Sequence, residues 1–101
     1  ENIEEAKQDP DCSIRREAYR VLGFTEFALT DPDSYIRREA YRVLGYTESA
    51  KQDSYWKIRQ EAYRLLGYTE SALTDSDYDI CREARLYFKI KKAKEKQNDK
   101  I

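Results

Sequence analysis

IRREAYRVLG, residues 36–45, recurs along this chain of 101 residues. The same ten residues occupy 14–23, a close variant, IRQEAYRLLG, occupies 58–67, and a degenerate copy, ICREARLYFK, occupies 80–89. Successive copies start 22 residues apart, each time at an isoleucine. Self-similarity at a short fixed period indicates a protein built by stacking one structural unit several times.

The repeated sequence has the pattern of an amphipathic helix that ends at a glycine. On a helix that turns by about 100° per residue, one side is apolar and is formed in the second copy by Ile36, Ala40, Val43 and Leu44. Arg38 and Arg42 fall on the opposite side. All three glycines directly follow a copy, at 23, 45 and 67, where a residue with positive φ commonly ends a helix. We predict that the apolar stripes of successive copies pack side by side.

The segments between copies are rich in turn and capping residues. Asp-Pro-Asp occurs at 9–11 and 31–33, where proline disfavours helix at the preceding residue and the second aspartate is a good N-cap. In the third segment Ser54 is the predicted cap. An aromatic-Thr-Glu sequence after each glycine predicts a one-turn helix, capped by the threonine, that ends near the next joint. Each unit is thus predicted to be a long helix, a glycine corner and a short helix.

The predicted fold class is all-α, a right-handed α-α superhelix (solenoid) of four 22-residue helix-turn-short-helix repeats, at about 2–23, 24–45, 46–67 and 68–88. Together these repeats form one predicted domain, residues 1–88. Lys89 stands where the earlier copies have glycine, so the last helix is expected to continue through Ile90 and Ala93. Residues 89–101 then form a helical extension and a basic tail, with six lysines against two acidic residues.

The overall composition argues against several functions. The 19 basic and 20 acidic residues nearly cancel, so neither nucleic acid nor a membrane would attract the whole chain at long range. No apolar run reaches the roughly 20 residues of a membrane span, and no signal-peptide pattern opens the chain. The chain contains no histidine, which excludes the usual His-containing zinc site and a Cys-His or Ser-His dyad. We predict no enzyme, no catalytic residue, no metal and no cofactor.

The two cysteines, Cys12 and Cys81, lie near the starts of the first and fourth helices. Helix-to-helix steps of about 8–10 Å separate them in the predicted stack by more than a disulfide can bridge. Unpaired thiols indicate a reducing compartment, and we predict cytoplasmic localisation. Because the chain does not begin with methionine, we expect a processed chain or a segment of a longer array.

One acidic segment, Asp75-Ser76-Asp77-Tyr78-Asp79, begins like a calcium-binding loop. That loop also needs glycine at its sixth position and glutamate at its twelfth, where this chain has Ile80 and Leu86. Helix capping therefore explains these aspartates better than calcium binding.

The spacing of aspartate and arginine resembles that of the HEAT-like repeats of α-solenoids. An aspartate, four residues and an aliphatic-Arg pair occur as Asp9…Ile14-Arg15, Asp31…Ile36-Arg37 and Asp53…Ile58-Arg59, while Asp75…Ile80 is followed by Cys81. The resemblance spans residues 2–88 and implies that these aspartates and arginines pair between neighbouring repeats. Units of 22 residues are short for that family, so the leucine-rich variant repeats, which alternate long and very short helices, are a close second.

The resemblance also implies that the helices carrying these arginines line a concave face. Stacking in register would place three rows of side chains there: Arg16, Arg38, Gln60 and Arg82; Arg20, Arg42 and Arg64; Tyr19, Tyr41 and Tyr63. Guanidinium and phenol groups stack on a partner and donate hydrogen bonds, which predicts a binding site for an acidic or extended partner. In the alternative, the tyrosines pack between helices and the arginines pair with Glu17, Glu39 and Glu61.

The predicted function is a non-enzymatic scaffold for protein–protein interaction, with a protein or peptide partner. The alternative is nucleic-acid binding through the arginine rows and the lysine-rich C-terminal tail. An accessory role beside a bilin-type lyase rests on fold analogy alone. No membrane partner is predicted, and the open ends of a repeat stack would allow end-to-end self-association.

Overall fold

Every regular element of the described chain is helical. The structure is a computed structural model that describes residues 4–99, of which 76% are helical and none lies in a β-strand. Within that range the α-helices are α1 (Cys12–Leu22), α2 (Ser34–Leu44), α3 (Trp56–Leu66), α4 (Glu70–Leu73) and α5 (Tyr78–Asp99). Short 3₁₀ helices precede α1, α2 and α3, at Glu5–Gln8, Glu26–Thr30 and Glu48–Gln52. The predicted all-α class is confirmed.

The chain divides into two compact units between Thr47 and Glu48. Unit 1 contains α1 and α2 with the first two 3₁₀ helices, and unit 2 contains α3, α4 and α5 with the third. Each unit therefore has two long helices and two short ones, in the order that the repeat pattern predicts. The stacking of four repeats in a solenoid, with a domain over 1–88 and a tail over 89–101, stays a prediction.

Aspartate side chains begin three of the four long helices. The Asp11 carboxylate accepts the Ser13 N–H at 2.9 Å, and the Asp33 carboxylate accepts the Tyr35 N–H at 2.9 Å. At the start of α5, the Asp77 carboxylate accepts the Ile80 N–H at 3.1 Å. These bonds satisfy amides that have no partner inside the helix, and the predicted caps at Asp11 and Asp33 are confirmed.

The prediction that Ser54 caps α3 is wrong. Tyr55 occupies the N-cap position without a capping side chain, and its own N–H donates to Asp53 Oδ1 at 2.8 Å. The helix keeps its register within the repeat, so residue 55 takes the place of Asp11 and Asp33, whereas Ser54 takes the place of the prolines. The threonines before two short helices, Thr25 and Thr69, occupy the predicted cap positions but make no capping hydrogen bond.

The core of each unit combines tyrosine, isoleucine and alanine. In unit 1 the buried cluster is Tyr19, Ala28, Ile36 and Ala40, against which Phe24 and Leu29 pack. In unit 2 the equivalent cluster is Tyr63, Ala72, Ile80 and Ala84, against which Tyr68 and Leu73 pack. One alanine of each cluster comes from a short helix, and its small side chain allows that helix to lie close to the long ones.

Val43 and Leu44 do not join this core. Val43 is 65% exposed and Leu44 is 44% exposed, so the prediction that placed them in the apolar stripe is wrong. Tyr41, which is 6% exposed, belongs to the same last turn of α2 as Val43 and Leu44. In that turn the large phenol ring takes the interior position, and the two aliphatic side chains face solvent.

A glycine of positive φ ends each of the first three long helices. Gly23, Gly45 and Gly67 have φ values of 96°, 105° and 108°, with ψ near extended values at 149°, 142° and 148°. The predicted positive φ is confirmed, in a region that is essentially restricted to glycine. A Cβ atom at these positions would meet nothing within 4 Å, so the requirement for glycine comes from the backbone alone.

Gly67→Ala should therefore lower the free energy of unfolding by about 1–3 kcal/mol, the usual cost of a strained backbone conformation. The check is the urea midpoint of the variant. Ser13→Ala, on the exposed face of α1, is the matched control and should change stability by less than about 0.5 kcal/mol. Equal midpoints for Gly67→Ala and the parent chain would contradict this account of the corner.

The last helix continues past the glycine position, as predicted. α5 runs through Lys89 to Asp99, and all side chains from 89 to 98 are exposed. The final two residues of the predicted tail lie outside the described residues. The extension is therefore a solvated helix that presents its lysines to the surroundings.

Candidate functional site

Two largely buried ion pairs each connect one joint to the next joint along the chain. Arg15 donates from Nε and Nη2 to the two Asp31 carboxylate oxygens at 3.0 and 2.9 Å. Its Nη1 donates to the carbonyls of Asp9 and Pro10 at 2.8 and 3.1 Å. In unit 2, Arg59 contacts Asp75 in the same way, at 2.9 Å for both bonds. The pairing that the resemblance implies is confirmed for these two pairs.

These pairs fix the joints that precede the long helices. Each guanidinium holds the backbone of its own joint and the carboxylate of the next one, so its donors are used inside the fold. Burial raises the pKa of Asp75, but the hydrogen bonds from Arg59 and from the Asp77 N–H outweigh it and hold that pKa below its ordinary value of 3.8. The pairing of Arg37 with Asp53 stays a prediction.

The arginine rows are paired with a row of glutamates. Arg20 lies 3.7 Å from Glu17 and 3.6 Å from Glu39. In unit 2, Arg64 donates to Glu83 Oε1 at 2.7 and 2.9 Å, and Gln60 donates to Oε2 at 2.8 Å. Although burial raises the pKa of Glu83, these bonds hold it below its ordinary value.

The remaining members of the rows also have partners. The Arg16 guanidinium lies over the Tyr35 ring, 4.8 Å from its centroid. Arg38 and Arg42 take part in further polar or electrostatic interactions. The pairing of Arg20 with Glu17 and Glu39 matches the alternative prediction, in which glutamates neutralise the arginines.

The tyrosine row lies in the core. Tyr19, Tyr41 and Tyr63 are buried, and their rings stack on Phe24, Tyr46 and Tyr68. The prediction that these rings are open to a partner is wrong, because a phenol beside the alanines fills the space between long and short helices.

A lysine from a short helix covers one of these rings in each unit. Lys7 Nζ lies 5.4 Å from the Tyr19 centroid, and Lys51 Nζ lies 5.3 Å from the Tyr63 centroid. Each ammonium also lies near a glutamate, Glu4 at 3.6 Å or Glu48 at 3.0 Å. Such cation–π contacts are stabilising when the cation is shielded from water, and both lysines are buried.

The two units differ at the hydroxyl of the buried tyrosine. Tyr63 Oη and Ser71 Oγ share a hydrogen bond of 2.7 Å, whereas Tyr19 Oη is buried without a partner, the only such side-chain atom in the described chain. Eight residues after Tyr19 stands Phe27, in the place that Ser71 holds relative to Tyr63. Phe27 is 61% exposed and offers no hydroxyl. No prediction from the sequence named Phe27, although the aligned repeats have phenylalanine at 27 against serine at 49 and 71.

Phe27→Ser should make the protein more stable than Phe27→Ala by about 1 kcal/mol, because only serine supplies a hydroxyl to Tyr19. Both variants remove the aromatic ring, so the comparison isolates the hydrogen bond. In unit 2, Ser71→Ala should lower the free energy of unfolding by about the same amount, because it removes the hydroxyl that Tyr63 bonds to. Urea unfolding of the three variants checks this, and a serine variant no more stable than the alanine variant would contradict it.

Phe27 borders a cleft of about 440 Å³ in unit 1, between the joints at Lys7–Pro10 and Phe27–Pro32. Apolar walls come from Phe27, Pro10 and Pro32, and polar walls from Lys7, Gln8, Asp9, Arg15, Thr30 and Asp31. Arg15 and Asp31 are already paired with each other. At the equivalent positions of unit 2 the apolar residues are replaced by Ser54, Ser71 and Ser76. The apolar walls are therefore particular to this cleft.

Cations line one side of α5. On a helix of about 100° per residue, five basic residues fall within about 80° of one another: Arg82, Arg85, Lys89, Lys92 and Lys96. All five are exposed. Lys91 and Lys94 lie on other sides of the same helix. The predicted lysine-rich tail is thus part of a longer basic stripe along α5.

Metal-ligating side chains do not cluster in the described part of the chain. Among residues 4–99 no group of three acidic or cysteine side chains is placed to hold a metal ion. Cys12 and Cys81 are free thiols, and Cys81 Sγ donates to the Leu73 carbonyl at 3.1 Å. No helix in the described part of the chain has the length and apolar character needed to span a membrane.

Comparison of the chain with protein-family models, with curated proteins and with solved structures gave no match.

Proposed function

We propose that this chain is a non-enzymatic scaffold for protein–protein interaction, and that the cleft of unit 1 binds an extended peptide segment of its partner. The observation that carries the proposal is Phe27. A phenylalanine at this position leaves the Tyr19 hydroxyl without a hydrogen bond, which is unfavourable by about 1–3 kcal/mol. A residue that differs from the equivalent residues of the other repeats, and thereby lowers the stability of the fold, is a candidate for a functional role.

The chemistry of the cleft indicates an apolar side chain flanked by a polar backbone. The exposed face of Phe27, with two proline rings nearby, is suited to an aliphatic or aromatic anchor. Gln8 lies in the same cleft, and its amide oxygen can accept a backbone N–H group of a peptide that crosses the two joints. Aromatic anchors in a concave, partly apolar site commonly provide most of the binding energy of an interface.

An acidic preference of the partner is a further proposal. The side chains of Arg20 and Arg64 are 52% and 54% exposed despite their glutamate partners. Exposed ion pairs are worth little in water, so these guanidinium groups could exchange a glutamate for a carboxylate of the partner. We also propose that the repeats stack as a solenoid of the HEAT-like or leucine-rich variant kind and that the protein acts in the cytoplasm.

The test is an array of ten-residue peptides whose central residue is varied through all side-chain types, probed with the full chain. We expect binding to peptides with a central Leu, Phe or Trp and weaker binding to those with Ala or Asp. Phe27→Ser should weaken the selected peptide by about tenfold or more. Val43→Ser, which also removes an exposed apolar side chain from unit 1, is the matched control and should leave the affinity unchanged. Equal losses of affinity in both variants would refute the cleft as the binding site. Binding that does not depend on the central residue of the peptide would refute it as well.

The second candidate function is nucleic-acid binding, favoured by the basic stripe on α5. Five exposed cations on one side of a helix provide a row of phosphate contacts, and such contacts do not depend on base sequence. The near-zero net charge of the chain does not oppose this, because the lysines are segregated in the extension.

A labelled 20-base single strand tests this candidate by fluorescence anisotropy at several salt concentrations. If the stripe binds phosphates, the slope of log K against log salt falls by about 0.7 for each contact removed. Lys89→Glu with Lys92→Glu should abolish binding, whereas Lys91→Glu with Lys94→Glu, which changes the net charge equally but lies off the stripe, should weaken it less. Binding that both pairs reduce alike would indicate general attraction rather than a stripe.

A further inference from the structure

The first repeat exposes an apolar residue that later repeats cover. Ile14 is 42% exposed, whereas Ile36 in unit 1 and Ile80 in unit 2 are fully buried. The ten residues that begin at Ile14 and at Ile36 are identical. The difference therefore comes from what packs on the isoleucine and not from its local sequence.

The first repeat also has an aspartate without a guanidinium. Within residues 4–99, the Asp9 carboxylate accepts only the Asp11 N–H, at 2.8 Å. Asp31 and Asp75 accept the equivalent N–H and, in addition, two hydrogen bonds from an arginine. Asp9 is half-buried, so its second oxygen is a well-placed acceptor for a bidentate donor.

The repeats that begin at Asp31 and at Asp75 show which groups contact this aspartate and this isoleucine when another helix packs on them. Arg15 pairs with Asp31 while Tyr19 packs with Ile36. Arg59 pairs with Asp75 while Tyr63 packs with Ile80. In both cases the arginine and the tyrosine are four residues apart on one helix, a spacing that places them on the same face. Asp9 and Ile14 correspond to Asp31 and Ile36, and they lack that helix.

We propose that Asp9 and Ile14 form a docking face for a helix of a further repeat unit of the same kind, which supplies an arginine to Asp9 and a tyrosine to Ile14. This inference does not depend on the cleft at Phe27. The docking face is specific, because the partner helix must carry an arginine and a tyrosine four residues apart. The arginine contacts the Asp9 carboxylate while the tyrosine packs on Ile14.

A second copy of this chain does not offer that helix at its other end. The positions of α5 that correspond to the arginine and tyrosine hold Cys81 and Arg85. The Cys81 thiol is too short to reach a carboxylate of a next repeat, and it donates to the Leu73 carbonyl instead. The chain therefore has the acceptor groups at its first repeat but no matching arginine and tyrosine at its last. We expect it not to stack on itself, in contrast to the end-to-end self-association that the repeat pattern alone would allow.

The experiment extends the full chain by one repeat, a copy of residues 24–45 placed directly before Asn2. The extended protein should gain helical circular dichroism in proportion to its length, and its Tm should rise by about 5 °C or more. Asp9→Asn should remove about half of that rise. Arg37→Gln made only in the added copy should do the same, and the two changes together should have no larger effect than either alone, as expected for one shared interaction.

Ile14→Ala gives an independent measurement. It should lower the Tm of the extended protein several times more than that of the original chain, because the added repeat buries the side chain. An added repeat that stays unfolded, or a rise in Tm that is insensitive to Asp9, would overturn the proposal. Sedimentation of the original chain as a concentration-dependent oligomer would also overturn it, by identifying a second copy as the occupant.

Discussion

Asp75→Asn should lower the free energy of unfolding by about 3–5 kcal/mol, because it leaves the Arg59 guanidinium buried without its charged partner. The side chains of Arg59 and Asp75 are 14% and 6% exposed, so water can replace the lost carboxylate only in part. The carboxylate also accepts the Asp77 N–H at 2.8 Å, which fixes the joint before α5. Urea unfolding monitored at Trp56, the only tryptophan of the chain, measures the loss in unit 2.

The matched control is Asp79→Asn, which breaks an ion pair of the same residue types in the same unit. Asp79 and Arg82 lie 3.6 Å apart with side chains 55% and 62% exposed, and an exposed pair contributes less than about 1 kcal/mol. Similar losses for Asp75→Asn and Asp79→Asn would show that burial does not determine the strength of these pairs.

The contribution of Asp75 should depend on pH with a definite sign. Its pKa in the folded chain is held below the ordinary value of 3.8, so the folded state binds fewer protons than the unfolded state in acid. The stabilisation is complete above pH 3.8 and is lost as the pH falls through the lower folded pKa. The difference in stability between the parent chain and Asp75→Asn should therefore be constant at neutral pH and narrow in acid. A difference that widens in acid would contradict this sign.

Ile36→Ala should lower the free energy of unfolding by about 2–5 kcal/mol, because it opens a cavity in the core of unit 1. Ile36 is fully buried among Tyr19, Ala28 and Ala40, all side chains that cannot easily move into the space. Thermal or urea unfolding of the variant provides the measurement.

The control for this substitution lies in the same unit within an identical ten-residue sequence. Ile14→Ala removes the same atoms from a side chain that is 42% exposed, so it should have less than half the effect of Ile36→Ala. A difference between the two variants arises mainly from tertiary packing, because the helix propensity of the substituted residue and the nine residues that follow it are the same. Equal losses would mean that Ile36 is not the core residue that the structure indicates.

Features governed by short-range chemistry could be predicted from the sequence. The glycine corners, the caps at Asp11 and Asp33 and the continuation of α5 past Lys89 each depend on residues within one helical turn. The pairing of Arg15 with Asp31 extends further along the chain, yet the resemblance to known repeats was sufficient to predict it. In each case the residue type has few other ways to satisfy its backbone or its charge.

Features that depend on which groups meet between helices could not be predicted in this way. The pattern of a single helix does not show whether its buried side extends toward Val43 or toward Tyr41. Which of the two is buried depends on the elements that pack against the helix. For the same reason the tyrosines were predicted at the surface. Phe27 became informative only once the structure showed that Tyr63 bonds to Ser71 and that Tyr19 has no such partner.

The shielded amines of Lys7 and Lys51 give each unit its own reporter of breathing motions. An acylating reagent needs a neutral, accessible amine, and these two side chains lie against tyrosine rings with only 10% and 6% exposure. Their modification should wait for local opening, whereas the solvated lysines of α5 react at once. Mass spectrometry of the two tryptic regions over time would then reveal whether the halves of this protein open together or one before the other.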